Sequence, residues 1–367
     1  MRNNITLVLH CLRSGGAEKQ LLWIAEEVAS YGLSCTILEL SAGERTERIE
    51  IMVRSLGIKG VQFLRAPEGS SPLRSFFRLL RHLAESRPRI VWSWGLRADT
   101  LTCASRWCVP DFTWVMSIRS ANARLGRRTS MIRDLLLGRC DGVVSNTQAG
   151  LVLAGIGGIP AFRRWVLPNS VALNAGVTAR LPALPPAKWV LVMLGNIKIA
   201  TKGYDIAAQM ALRLRDKNFP FELRIAGRPD ELPALEALCE RMGVSDCVRF
   251  YGEVSRPEEF LQEGHMYILL SRFEGMPNTL LEALSVGLPV VATEVGDLRS
   301  LKAQGAPFTL IPVGNAGAAV AAVEAATAEW AQTRADAERG REWVQAQFSP
   351  SGCRAVLRKI LDNLLKP

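Results

Sequence analysis

Short apolar runs alternate with amphipathic helical stretches along the whole chain, and no other feature restricts the fold as tightly. Ile5–His10 reads as a strand, Gly16–Ser30 as a helix and Ser34–Leu40 as a second strand. Val61–Leu64, Ile90–Trp94, Trp114–Ile118, Gly142–Ser145 and Trp165–Leu167 continue the series, with helices such as Arg74–Ser86 between them. Strands that are apolar on both faces must be covered on both faces, which means a parallel, doubly wound α/β sheet. The pattern stops over residues 173–188, where three prolines break any periodicity. It then starts again with Trp189–Gly195, Phe221–Ala226, Val248–Tyr251, Met266–Leu270, Pro289–Ala292 and Phe308–Ile311. The expectation is two Rossmann-like domains, 1–172 and 189–348, joined by a linker at 173–188. Their ligands would sit in a cleft between the carboxyl ends of the strands. The tail from Ala316 reads as helix, broken at Ser349-Pro350, so residues 349–367 form a separate last helix.

With 367 residues, 48% hydrophobic and 22% charged, the chain is globular and long enough for two cores. Its eight cysteines are scattered with no C-x-x-C pair, which gives neither a zinc knuckle nor a disulfide framework. The start is an apolar strand running into a Gly-rich loop rather than a signal peptide. The stretch nearest to a membrane span, Leu101–Ile118, carries Arg106 and Asp111. These features point to a reduced, cytoplasmic protein. The formal charge is +10, and it is unevenly placed. Residues 1–187 hold 24 Lys and Arg against 13 Asp and Glu, whereas residues 188–367 hold 21 against 22. A basic half beside a neutral half implies an anionic partner.

Two segments carry candidate chemistry. Ser14-Gly15-Gly16-Ala17-Glu18 follows the first strand and opens a helix, so its glycines allow close backbone approach and its free amides favour a phosphate. A βα turn built only for tight packing would look the same. The second is Ser271-Arg272-Phe273-Glu274-Gly275-Met276-Pro277-Asn278-Thr279-Leu280-Leu281-Glu282, after the strand Met266–Leu270. Glu274 falls in a loop at a strand's carboxyl end, and Gly275 and Pro277 shape that loop. Thr279 to Glu282 also matches a capping box, in which Glu282 would serve only its own helix. The same geometry aims the amides of Thr279 and Leu280 at an anion, with a carboxylate on either side. Such a set suits a sugar at one end and a ribose at the other.

Glu274 and Glu282, with seven residues between them, resemble the E-x7-E signature of retaining GT-B glycosyltransferases of family 4. Gly15-Gly16-Ala17-Glu18 is similar to that family's first-domain loop, and Val166-Leu167-Pro168-Asn169-Ser170 to the element that ends its first domain. Gly195-Asn196-Ile197-Lys198 with Lys202-Gly203 resembles its basic phosphate loop. Four motifs in order cover nearly the whole chain. The resemblance implies a nucleotide-diphosphate-sugar donor held by the second domain, with no cofactor and no metal. Lys198 and Lys202 would neutralise the diphosphate, and Gly15 and Gly16 would complete the phosphate site. Glu274, Gly275, Met276, Pro277, Asn278, Thr279 and Leu280 would hold the sugar and phosphate. Glu282 would bind the ribose and Tyr251 the base. Glu274 and Lys202 are the expected catalytic pair, and the last helix would return to the first domain. Two departures stand out. Asn196 occupies a position where Arg is commonest, and Arg97 stands where many members carry a first-domain His.

In that family the first domain binds the acceptor, often a lipid-linked or lipopolysaccharide glycan. The basic half fits such an anionic acceptor at the inner membrane face, since Arg74, Arg78, Arg81, Arg87 and Arg89 share a segment with Phe76, Phe77, Leu79 and Leu80. Arg124, Arg127, Arg128, Arg133 and Arg139 are likewise set among Met131, Ile132, Leu135 and Leu136. An ordinary packed helix with solvated charges reads the same way. His10, Arg97 and Arg119 are the acceptor-side candidates. Nucleic-acid binding is not expected, because no stacking aromatics or known motif accompany the arginines. The closest alternative is another GT-B nucleotide-sugar enzyme, such as a sugar epimerase.

Overall fold

The computed structural model describes residues 3–13, 15–119, 127–156, 158–171 and 177–366. Ser14, Ser120, Arg124 and positions 172–176 of the proline-rich stretch therefore lie outside the described residues. The chain divides into two compact units, Met1–Ser170 with Ser351–Pro367, and Val171–Pro350. Each holds one parallel sheet between helical layers.

In the first unit the strands are β1 (Asn4–Leu9), β2 (Ser34–Glu39), β3 (Gln62–Arg65), β4 (Ile90–Trp94), β5 (Thr113–Ile118), β6 (Gly142–Ser145) and β7 (Arg164–Val166). They run in the order β3-β2-β1-β4-β5-β6-β7. In the second unit β8 (Trp189–Leu194), β9 (Phe221–Ala226), β10 (Val248–Phe250), β11 (Met266–Leu269), β12 (Val290–Thr293) and β13 (Thr309–Ile311) run in the order β10-β9-β8-β11-β12-β13. Every pairing is parallel. The strand order reverses beside β1 and β4 in one sheet and beside β8 and β11 in the other. Loops on either side of such a switch part from each other and leave a crevice at the strands' carboxyl ends.

The apolar runs become the two cores because each strand is covered on both sides. In the first unit Leu7, Ile37, Trp92 and Val115 pack against Leu21, Leu22 and Val28 of the helix Gly16–Ser30. Val8, Leu38, Val91 and Met116 face the opposite layer, with Leu79 and Leu83 of the helix Pro72–Ser86. The last helix, Pro350–Leu364, buries Leu357, Ile360 and Leu361 in the first unit's core, and Arg354 pairs with Glu27 at 2.5 Å. Ser349 caps the end of the preceding helix in an extended conformation, and Pro350 opens the new one.

The stretch 173–188 does not behave as a linker where it is described. Val177, Ala179 and Leu181 pack on the second unit's core. The Ala179 N–H donates to the Val286 carbonyl at 2.6 Å and the Arg180 N–H to the Gln262 carbonyl at 3.0 Å. Prolines interrupt periodicity without preventing an extended chain from burying alternate side chains.

Candidate active site

The second unit brings the predicted donor residues Lys198, Lys202 and the segment Glu274–Glu282 to its switch point, whereas Tyr251 follows the edge strand β10. After β8 the chain turns through Gly195–Lys198 into the short helix Ile199–Lys202, and after β11 it turns through Ser271–Pro277 into the helix Asn278–Ser285. Because β8 and β11 are neighbours, these two loops meet. Lys202 Nζ donates to Glu274 Oε1 at 2.6 Å, and Ser271 Oγ donates to the same oxygen at 2.7 Å. The carboxylate is 11% exposed and the lysine 28%. Among the described residues no bond falls on Oε2.

Four contacts that the sequence did not disclose lock this arrangement. Arg272 forks onto both oxygens of Asp205 at 2.7 and 2.6 Å, and its N–H donates to the Thr201 carbonyl at 2.8 Å. Burial pushes Asp205 up, but the Arg272 guanidinium outweighs it and holds the carboxyl below its ordinary value. Gly203 lies so close to the end of β11 that a Cβ would stand 2.0 Å from the Leu270 carbonyl oxygen. On the far side Gly296, at φ 56°, lies under the Glu274 loop, where a Cβ would stand 2.2 Å from the Gly275 carbonyl oxygen. Arg272 is inside the segment singled out from sequence, yet Asp205 and Gly296 had no local signal.

The capping box does not form. The helix begins after Pro277, which makes no side-chain cap, so Thr279 is already inside it. Its hydroxyl instead accepts from the buried Tyr267 phenol at 2.7 Å. The Leu280 N–H is engaged too, donating to the Pro277 carbonyl at 3.2 Å, so it is not aimed outward. Gly275, Met276 and Asn278 are half-buried in the loop and first turn, and Glu282 is half-buried on the following turn. Lys198 is exposed ahead of the helix Ile199–Lys202 and, among the described residues, its ammonium makes no ion pair. The neighbouring loop is tied in as the Ile197 N–H donates to the Arg228 carbonyl at 2.8 Å and the Ile199 N–H to Glu231 Oε2 at 2.7 Å. Tyr251 follows β10, 48% exposed, with its ring edge-on to Phe260 at 5.3 Å and beside Arg224.

In the first unit Gly15 precedes the helix Gly16–Ser30 at the carboxyl end of β1. Gln20 clamps the unit's last segment to that helix, since its carboxamide exchanges bonds of 2.7 and 2.8 Å with the Ser170 backbone. His10 is exposed past β1, and partial burial, then Arg97 and Arg13, push its imidazole below the usual value. Arg97 is not free in the crevice. Its guanidinium donates to the Ser70 carbonyl at 2.8 Å and to Ser75 Oγ at 3.3 Å. Arg119 directly follows β5, and burial alone pushes its guanidinium down to about 10. His82 and His265 are structural, bonded to Thr6 Oγ1 at 2.9 Å and to the Val190 N–H at 3.0 Å. A hollow of about 1120 Å³ lies at the opposite, amino-terminal edge of the first unit's sheet, between Arg106, Phe112 and Trp165. It holds none of the predicted donor or acceptor-side residues, although Arg89 of the basic segment lines it.

Residues 188–329 match the family described as Glycosyl transferases group 1. The whole chain superposes on sucrose-phosphate synthase from Thermosynechococcus elongatus with a TM-score of 0.82 at 16% identity, covering 99% of each chain. It superposes on Anabaena HepE in complex with UDP-glucose with a TM-score of 0.83 at 15% identity, covering 98% and 99%. The chain has the GT-B fold, and its second unit carries the match to the glycosyl transferases group 1 domain. Among curated relatives, the chain is 26% identical to the lipopolysaccharide core biosynthesis glycosyltransferase LpsE of Rhizobium meliloti, over 93% of the chain and 94% of the relative. The group 1 domain coincides with the unit that carries the Lys202–Glu274 pair.

Proposed function

We propose that this glycosyltransferase moves a hexose from a UDP-sugar to a lipid-linked or cell-surface glycan, with retention of configuration and without a metal ion. The ion pair of Lys202 and Glu274 at the switch point carries the reading, because it sets a cation and a carboxylate at one place where a diphosphate and a sugar would meet. Lys202 and Lys198 neutralise the diphosphate in the place of a metal ion. Glu274 Oε1 is already occupied, which leaves Oε2 for a sugar hydroxyl. Glu282 holds the ribose and Tyr251 the base. Gly15 and Gly16 give the first unit a backbone that can approach a phosphate. In the reaction the anomeric C–O bond to the phosphate breaks while the acceptor oxygen bonds the same face of that carbon. The acceptor's proton passes to the departing phosphate oxygen, so no protein base is needed.

The choice of UDP rests on the fold shared with HepE, and a cell-surface glycan on the likeness to LpsE. The membrane face is the layer formed by the helices Pro72–Ser86 and Arg127–Leu137. There Leu73, Phe77, Met131 and Leu135 are each more than half exposed, among Arg74, Arg81, Arg128 and Arg139. No described helix is long and apolar enough to cross a membrane, so contact would be at the surface. A thermal-shift screen of UDP-, GDP- and ADP-sugars tests the donor. A saturating UDP-sugar should raise Tm by several degrees, on the order of 2–4 kcal/mol. No shift with any of them would remove the reading.

A further inference from the structure

Four polar side chains at the carboxyl edge of the first unit's sheet have an atom that is closed to solvent and unbonded. They are Trp94 Nε1, Ser117 Oγ, Arg119 Nη1 and Asn146 Oδ1. Register places them together. Trp94 pairs with Ser117 and Ser117 with Val144, so all three point to one face of the sheet. Trp94 and Val144 lie in the core covered by the helix Gly16–Ser30, which fixes that face. Arg119 and Asn146 come two residues beyond Ser117 and Val144, and the Asn146 N–H donates to the Ile118 carbonyl. Trp94, Ser117 and Asn146 are 7%, 6% and 3% exposed.

Leaving a buried donor without a partner is costly, and leaving a buried charge uncompensated costs more. The nearby acid offers no relief. Asp99 belongs to the opposite face, where it accepts from Ser93 Oγ at 2.6 Å beneath Trp114. Arg119 is half-buried, its Nη1 is closed to solvent, and among the described residues no ion pair offsets its charge. Arg119 Nη1 thus has no partner among the described residues, and an anion from outside would supply one.

We propose that Arg119, with Trp94, Ser117 and Asn146, forms a pocket for an anionic group of the acceptor, a phosphoryl or a carboxylate. A guanidinium fork fits either group in two-pronged fashion. The indole N–H and the Ser117 hydroxyl add two donors, and Asn146 Oδ1 accepts from a sugar hydroxyl beside the anion. Naming the ligand an acceptor rests on glycosyl transfer as proposed above, whereas the anion site itself does not.

The donor lysines also attract phosphate, so the test uses the full chain carrying Lys198→Ala and Lys202→Ala. Inorganic pyrophosphate and glucuronate are titrated against it by thermal shift and calorimetry. At least one of them should raise Tm, and the stronger tells a phosphoryl from a carboxylate group. Adding Arg119→Met should weaken that binding at least about tenfold, while Tm without the anion stays level or rises as an uncompensated charge leaves the interior. Arg119→Lys keeps the charge and loses the fork, and should fall between the two. An anion shift that survives Arg119→Met overturns the proposal. So does a sharp loss of Tm or of folding in Arg119→Met, which would make the arginine structural. Binding of UDP-sugar to the otherwise wild-type chain is followed separately. Its absence alongside an intact pyrophosphate response would discard the transferase reading and keep the anion site.

Discussion

At the residue scale, Glu274 and Lys202 could be picked out in the sequence because each follows an apolar strand closely, Glu274 in a loop and Lys202 at the end of a short helix. What they do to each other was not. Their bond joins positions 72 apart, and Arg272 reaches Asp205 across 67. Thr279 shows the opposite error, since a good local capping pattern lost to the Tyr267 phenol arriving from another element. Asp99 gives a residue-scale prediction. Burial, opposed only by the Ser93 hydroxyl, raises its carboxyl from 3.8 to about 7. Between those values the folded chain keeps a proton that the unfolded chain has released. Stability therefore falls as pH rises through that window and levels off above it. Asp99→Asn should match the wild type near pH 4 and exceed its stability at pH 8, by on the order of 1–3 kcal/mol in urea melts. Parallel pH profiles for the two proteins would contradict this.

Among the elements, strands were the most readable, because β-strands buried on both faces need nearly unbroken apolar runs. Helix starts and loop packing were less so. The stretch 173–188 looked like a linker because its prolines hide the alternation that buries Val177, Ala179 and Leu181. Gly296 is similarly invisible, since only the fold shows that the loop after β12 runs beneath the one bearing Glu274. A methyl group at Gly296 must displace the Gly275 carbonyl and, with it, Glu274. Gly296→Ala should therefore lower kcat/KM about tenfold or more, with a stability loss of about 1–3 kcal/mol. Gly305→Ala faces open space, with nothing within 4 Å of the added atom. It should cost about 1–2 kcal/mol of backbone strain and leave kcat/KM unchanged. Equal kinetic losses in the two variants would separate the Glu274 loop from Gly296.

For the whole molecule, the chain's charge asymmetry and its division into two units belong together. The unit with the group 1 domain carries the lysine–carboxylate pair and is nearly neutral overall. The excess of arginine lies in the other unit, on the outer helices and at the half-buried Arg119. A donor diphosphate would be served by two lysines, so the remaining positive charge is left for an acceptor and the surface that holds it. Glycosyl transfer through Lys202 is the claim on which this division depends. Its most direct test follows radiolabelled UDP-sugar into a cell-surface glycan acceptor, with wild-type protein and with Lys202→Ala at matched fold and Tm. Transfer by the wild type, reduced about a hundredfold or more in the variant, is the predicted result. Wild-type turnover in Lys202→Ala, or a labelled sugar epimerised without any acceptor, would contradict it.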